Sequence, residues 1–263
     1  MEVGVSTASL FMRADTKGSL KILSELDARV VEVFLESFSE YDERFVSSLS
    51  EYTKGLVVHS LHTVTTQFEP QLFSSVPVQK KDAFAFIEGI CRGAKTLGAK
   101  NYTLHGRARV KKNAKLESFD EYALHFNELC DLLSGYGMSL TLENVEWAFC
   151  SRPEWFFEIK KRCPELKACF DIKQARISGY DPFDYIEAMK GRINTFHASD
   201  VDENGKMCLP GRGVTDFGKV FYALKRAGFC GNTLIEVYTG DYGDVSEIAE
   251  SLRYLRKIKE EVF

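Results

Sequence analysis

No segment of the 263-residue chain approaches the roughly 18 consecutive apolar residues that a membrane span needs, so a membrane partner is not expected. The N-terminus, MEVGVSTASL, lacks the charged and apolar regions of a signal peptide, and the expectation is a soluble, unprocessed, cytoplasmic chain. The seven cysteines, at 91, 130, 150, 163, 169, 208 and 230, form no C-x-x-C pair and make an odd total, which disfavours a disulfide framework or a structural zinc knot and favours reduced thiols. Positive charge is scarce too. The net charge is −4, and the one basic cluster, RARVKKNAK at 107–115, reads as a solvated loop, so nucleic acid is not an expected partner. There is no Pro/Ser-rich linker, which implies one domain over 1–263, and no G-x-G-x-x-G after the first strand, where STASLF stands instead.

The remaining composition, 44% hydrophobic and 13% aromatic, can bury a large core, and it is laid out in one repeated rhythm. Short apolar or β-branched runs at 2–6, 29–35, 55–59, 100–105, 138–143, 167–171, 192–197 and 233–238 give eight candidate strands. Between them lie segments of helical periodicity at 17–27, 42–53, 79–97, 117–134, 153–163, 182–190, 216–227 and 244–259, several closing on Gly where a left-handed cap is wanted, as in LGAKNY and SGYGMS. Eight such alternations over about 250 residues predict an α/β fold, a single (β/α)8 TIM barrel.

The run LTLENVEW, 140–147, is a buried-looking strand that stops on Glu143 and Asn144, and burying an unpartnered charge costs several kcal/mol. Other predicted strands end likewise: the third at His59, the fourth at His105, the sixth at Asp171 and the seventh at His197, while the eighth carries Glu236. In a parallel barrel these positions converge at the C-terminal mouth. A lone His at a strand end is more often structural, but several acids gathered at one rim would repel one another unless a cation joined them. Two Glu, one Asp and one His suit one divalent ion, Mn, Zn, Mg or Co.

On the pieces VVHS, TLHG, LTLENVEW, CFDIKQARISGYDP, FHASDVDENGKMCLPGRGVTDF and LIEVY, the sequence resembles the xylose isomerase-like barrel superfamily over nearly its whole length. That group holds sugar and sugar-phosphate isomerases and epimerases, inosose and dehydroshikimate dehydratases, and class II AP endonucleases. The resemblance implies Glu143, Asp171, His197 and Glu236 as metal ligands, with Glu143 and Glu236 also the acid/base pair. It matches His59 and His105 to ligands of another ion in the endonucleases, leaving two readings, a second metal or contacts to substrate hydroxyls. The endonucleases' third ion needs residues that here are Gln174, Lys206 and Cys208, so DNA repair is not expected. The ketose epimerases usually have a His where Gln174 stands and an Arg soon after the strand-seven His, where this chain offers Glu203 and, later, Arg212, so no particular epimerase is assigned.

The expected chemistry is isomerisation or epimerisation of a small sugar, keto-sugar or sugar phosphate through an enediolate. The ion acidifies the carbon-bound proton between a carbonyl and a hydroxyl, and two carboxylates remove and return it. Loss of a β-hydroxyl, as in a polyol or keto-acid dehydratase, is an alternative, as is a non-catalytic ligand-binding barrel or auxiliary subunit. Trp147 and Phe149 are candidates to cover a sugar face, and Gln174, Lys173, Arg176 and Arg212 to hold substrate polar groups. The expected partner is a small sugar-like molecule, and assembly into a homo-oligomer is left open.

Overall fold

Each β-branched run pairs in parallel with the next, and the last returns to the first, so the sheet has no free edge. The computed structural model describes residues 1–64, 67–109 and 118–263. Its barrel strands are β1 (Val3–Ser6), β2 (Val30–Leu35), β3 (Val57–Thr63), β4 (Asn101–Leu104), β5 (Ser139–Glu143), β6 (Lys167–Asp171), β7 (Ile193–Ala198) and β8 (Asn232–Ile235). Helices α1 (Thr16–Glu25), α2 (Glu43–Ser48), α3 (Pro77–Leu97), α4 (Phe119–Gly135), α5 (Pro153–Arg162), α6 (Ile172–Ile177), α7 (Pro182–Ala188), α8 (Phe217–Arg226) and α9 (Ser246–Val262) lie between and after them. This is the expected (β/α)8 TIM barrel, with a short hairpin, Asp200–Val201 against Met207–Cys208, added after β7.

Local chemistry sets these elements. In α3, Ile87, Ile90, Cys91 and Ala94 recur at spacings of three and four and are all buried. The helix ends at Gly98, whose φ of 70° is the left-handed cap expected of LGAKNY. Ser118 starts α4 by accepting a 3.2 Å bond from the Glu121 amide, and Asp15 and Asp216 start α1 and α8 in the same way. All seven cysteines are free thiols, five of them buried. No described helix is long and apolar enough to cross a membrane. Of the basic cluster, Arg109 is tied down by a 2.9 Å bond from its amide to the Trp147 carbonyl, and 110–115 lie outside the described residues.

Two departures from the sequence reading matter for function. Strand β3 does not end at His59 but continues through Leu61, His62 and Thr63. Two histidines and a serine make the run look like a loop, but they face a polar barrel interior that accepts them. The short helix α6 is also new, nucleated by Asp171, whose Oδ1 accepts from the Gln174 amide at 2.8 Å.

Barrel interiors are commonly filled by branched apolar side chains; this one is hydrogen-bonded. On its floor, His59 Nε2 lies 2.8 Å from Thr195 Oγ1, Asn232 Nδ2 lies 3.1 Å from His59 Nδ1, and Asn194 Nδ2 donates to Asn101 Oδ1 at 2.8 Å. One layer higher, the fully buried Glu32 accepts from Ser6, Ser60 and Thr103 hydroxyls at 3.1, 2.7 and 2.7 Å. Bulges permit this filling. The β2–β3 register jumps from Val31↔Val58 to Glu32↔Ser60, leaving His59 as the extra residue, and the β6–β7 register jumps past Asn194.

Candidate metal centre and active site

Four neighbouring segments each deliver a buried carboxylate or imidazole to the barrel mouth. Glu143 is the last residue of β5, Asp171 the last of β6, His197 the penultimate residue of β7, and Glu236 follows β8 directly. His197 Nδ1 stands 3.6 Å from Glu143 Oε1, 3.9 Å from Asp171 Oδ2 and 3.3 Å from Glu236 Oε2. One ligand atom from each of the four residues falls within 4.8 Å of all the others. Ligands about 2.1 Å from a common ion lie roughly 3 to 4 Å apart, so one divalent cation fits among them. Asp171 Oδ2, His197 Nδ1 and Glu236 Oε2 have no hydrogen-bond partner among the described residues, the state in which buried acceptors are costly unless a cation meets them.

Behind these atoms a second set of contacts aims them. His197 Nε2 lies 3.0 Å from Glu32 Oε1, an ion-pair contact that holds the ring with Nδ1 toward the mouth. Asn144 explains the other half of the LTLEN strand end. Its Oδ1 accepts from the Asp171 amide at 2.7 Å and its Nδ2 donates to the Asp171 carbonyl at 2.9 Å, clamping β6 to β5. The Cys150 thiol donates to the Glu143 carbonyl at 3.1 Å.

A second cluster shares Glu143, and here the structure corrects the sequence reading. His59 is not at the mouth: the bulge leaves it on the floor, bonded to Thr195 and Asn232, where it holds the barrel closed. Its place is taken by His62. Nδ1 of His62 donates to the Thr103 carbonyl at 2.9 Å, and Nε2 lies 3.6 Å from Glu143 Oε2. His105 is where the sequence put it, one residue past β4, with Nδ1 3.2 Å from buried Glu69 and Nε2 3.7 Å from Glu143 Oε2. Both rings therefore present Nε2 toward the same carboxylate oxygen. Neither Glu32 nor Glu69 nor His62 was singled out from sequence, although VVEVFL and VVHSLHTV each carry a polar residue inside a β-branched run, the same anomaly that marked Glu143.

The electrostatics show how short of positive charge the mouth is. Burial pushes Asp171 up to about 7, against the opposing pull of Lys173 and with Glu143 and Glu236 adding to the rise. Burial disfavours a charged His197, but Cys169, Glu236 and Glu32 outweigh it and hold the imidazole well above its ordinary range. Glu143 is drawn well below the carboxylate range, because His197, with His105 and His62, overcomes its desolvation. Without metal, protons on Asp171 and His197 stand in for a cation.

This has a consequence for pH. Groups whose folded pKa is raised lend stability at low pH and lose it as pH rises, for Asp171 between 3.8 and about 7, for His197 from 6.5 upward. Glu143 and Glu32, shifted down from 4.5, act only below that value. His59, pushed down to about 4 by burial, gains stability up to pH 6.5 and opposes this there, so the metal-free protein should melt at falling temperatures as pH rises from about 6.5 to about 8, and saturating Mn²⁺ should flatten the trend. A metal-free melting temperature that climbs over this range would contradict the assignment of these shifts.

Above the four residues opens a cavity of about 440 Å³, the size of a small-molecule site. Glu143, Glu236, His62, His105, Trp147, Gln174, Lys173 and Tyr238 are among its lining, together with Phe11 and Phe34. Trp147 and Gln174 are thus brought to the site, the latter oriented by the Glu146 amide, which donates to Oε1 at 3.1 Å. Arg212 is not. The loop after β7 is wound around Asp200, which accepts from the Gly211, Gly213 and Thr215 amides, and this turns Arg212 away toward Glu247 and Glu250 on α9. Arg176 is bonded to Thr215 at 2.8 Å, and Phe149 packs on Tyr122, so neither lines the cavity.

Solved structures share this architecture. A D-tagatose 3-epimerase-like protein superposes with a TM-score of 0.80 at 21% identity, covering 100% of both chains. The D-psicose 3-epimerase of Clostridium cellulolyticum H10 gives 0.79 at 16% identity, over 98% of this chain and 99% of that one. The IOLI protein, solved with a bound zinc atom, gives 0.79 at 18% identity, over 100% and 99%. At these identities the likeness shows the fold. Among curated proteins, none is detectably similar to it in sequence. The family profile, however, matches residues 20–258, nearly the whole of the barrel just described, and the chain belongs to the xylose isomerase-like TIM barrel family.

Proposed function

We propose that the protein is a divalent-metal-dependent isomerase or epimerase of a small sugar or keto-sugar. One observation carries this reading. Glu143 and Glu236 each turn one oxygen to the cluster around His197 and the other elsewhere: Glu143 Oε2 toward His62 and His105, Glu236 Oε1 toward Lys173 at the cavity wall. Two carboxylates at one small cavity are the equipment for taking a carbon-bound proton and returning it on another face or at a neighbouring carbon. A cation held by Glu143, Asp171, His197 and Glu236 would supply Lewis acidity, polarising a substrate carbonyl so that this proton becomes removable. The residues themselves do the rest. Trp147, Phe11 and Phe34 shed water from an apolar sugar face, Gln174 stands as a hydrogen-bonding group, and the glutamates move the proton. Sugar epimerases among the structural neighbours agree with this reading. A second ion is a separate reading, favoured by one specific observation, the pair of Nε2 atoms of His62 and His105 converging on Glu143 Oε2; such an ion would engage that oxygen and leave Glu236 as the base.

The test is metal content of the purified protein followed by incubation with a panel of sugars in deuterated water. Deuterium entering a sugar at a carbon next to its carbonyl supports the reading; a metal-loaded protein that exchanges none refutes it. Asp171→Ala and His197→Ala should each abolish stoichiometric metal binding while leaving a cooperatively folded barrel, since both sit at the rim and not in the packed layers outside the sheet. Equal metal content in variant and parent would remove these residues from the centre.

A further inference from the structure

Lys173 is an anomaly at this mouth. It is the second residue of α6 and 1% exposed, yet its ammonium makes no hydrogen bond to any described residue. The nearest carboxylate oxygens, Asp171 Oδ2 and Glu236 Oε1, stand at 3.9 and 4.0 Å, beyond the 2.7 to 3.2 Å of a formed bond. The ammonium sits 4.1 Å over the Tyr238 ring. The two carboxylates favour the charged ammonium without filling its three N–H bonds, and the residue lines the cavity, so those donors are available to a group held there. Its position is fixed rather than adaptable: the first turn of α6 is pinned by the bond from the Gln174 amide to Asp171 Oδ1, and the loop under the ring by the bond from the Tyr238 amide to Asp241. Among the described lining residues it is the only lysine or arginine. The other arginines near the rim, Arg13, Arg176 and Arg212, are bonded to loop carbonyls, Thr215 and α9.

We propose that Lys173 is a further catalytic residue: its ammonium donates a hydrogen bond to the substrate oxygen beside Glu236 and holds the negative charge that gathers there. This rests on the reading of the mouth as a sugar-converting site. In the step it serves, a glutamate takes the carbon-bound proton, the C–H electron pair becomes the new C–C π bond, and the carbonyl π pair moves to oxygen. Lys173 keeps its own proton and meets an oxygen in that conjugated, charge-bearing system. A donor preorganised toward a developing oxyanion is worth about 10²- to 10³-fold in turnover.

The experiment compares Lys173→Met, Lys173→Gln and Lys173→Arg with the parent, all loaded with Mn²⁺. It measures bound metal, melting temperature, deuterium exchange on the sugar panel, and affinity for glycolohydroxamate, a planar anionic mimic of an enediolate that needs no turnover. The expected result is full metal content in all four, kcat lowered at least about 100-fold in Met and Gln with KM changed only a few-fold, hydroxamate affinity lowered at least about tenfold, and partial rescue of both by Arg. If Met and Gln bind the hydroxamate as the parent does and differ only in metal affinity or melting, Lys173 is a counter-ion and the proposal falls. If the parent exchanges no sugar while the hydroxamate loss persists, the oxyanion contact stands and the sugar reading is what fails.

Discussion

Replacing Glu236 or Glu143 with glutamine should lower kcat by two to four orders of magnitude with little change in KM. Each carboxylate reaches the His197 cluster through one oxygen and keeps the other for proton transfer, and glutamine preserves the shape while removing the basicity. An interaction made only in the transition state lowers kcat and kcat/KM together. The two variants should not be identical. Glu143 Oε2 faces two imidazoles, and its loss also unmakes the His62–His105 cluster, so Glu143→Gln should cost any second ion. Glu236 Oε1 faces Lys173, so Glu236→Gln should leave that cluster untouched. Steady-state kinetics must be accompanied by metal analysis of each variant. A variant that keeps its metal and near-parental kcat on the exchanging sugar would reduce that glutamate to a ligand and end the two-base mechanism.

The parts of this site legible in the sequence were those where burial and charge conflict at a strand end. Glu143, Asp171 and His197 stand at the ends of short apolar runs, so the break in each run located them without knowledge of any neighbour. His62 escaped because the third strand was ended at His59, four residues short of its true end at Thr63, and the bulge that leaves His59 on the floor is a property of two paired strands and not of one segment. Glu32 sits in VVEVFL, where its charge was as anomalous as that of Glu143, but mid-strand it does not mark a mouth, and its meaning is visible only with Ser6, Ser60, Thr103 and His197 around it. Arg212 failed for another reason: side-chain direction in a long loop is set by where its backbone is anchored, here on Asp200, and no local pattern reports that.

Glu32→Ala should be the most damaging substitution outside the mouth, with two separable effects. The carboxylate is fully buried, takes three hydroxyl hydrogen bonds and lies 3.0 Å from the His197 imidazole, interactions that together hold it ionised well below the usual carboxylate range against the cost of burial. Removing one partner of such a buried charged network costs about 3 to 5 kcal/mol, a large share of the 5 to 15 kcal/mol that holds a typical domain together. The second effect reaches the mouth through His197. With no carboxylate at Nε2, the ring loses its aim, and metal affinity should fall about 10- to 100-fold. Glu32→Gln separates the two. Its amide oxygen can still accept from hydroxyls, so most of the unfolding free energy returns, but a neutral side chain gives the imidazole no charged acceptor, and the metal defect should persist. Urea unfolding of the metal-free proteins and Mn²⁺ titration of the folded ones measure the pair. Parental metal affinity in Glu32→Gln would show that Glu32 serves the barrel alone, and parental stability in Glu32→Ala would show that the three hydroxyls find other partners when the carboxylate is gone.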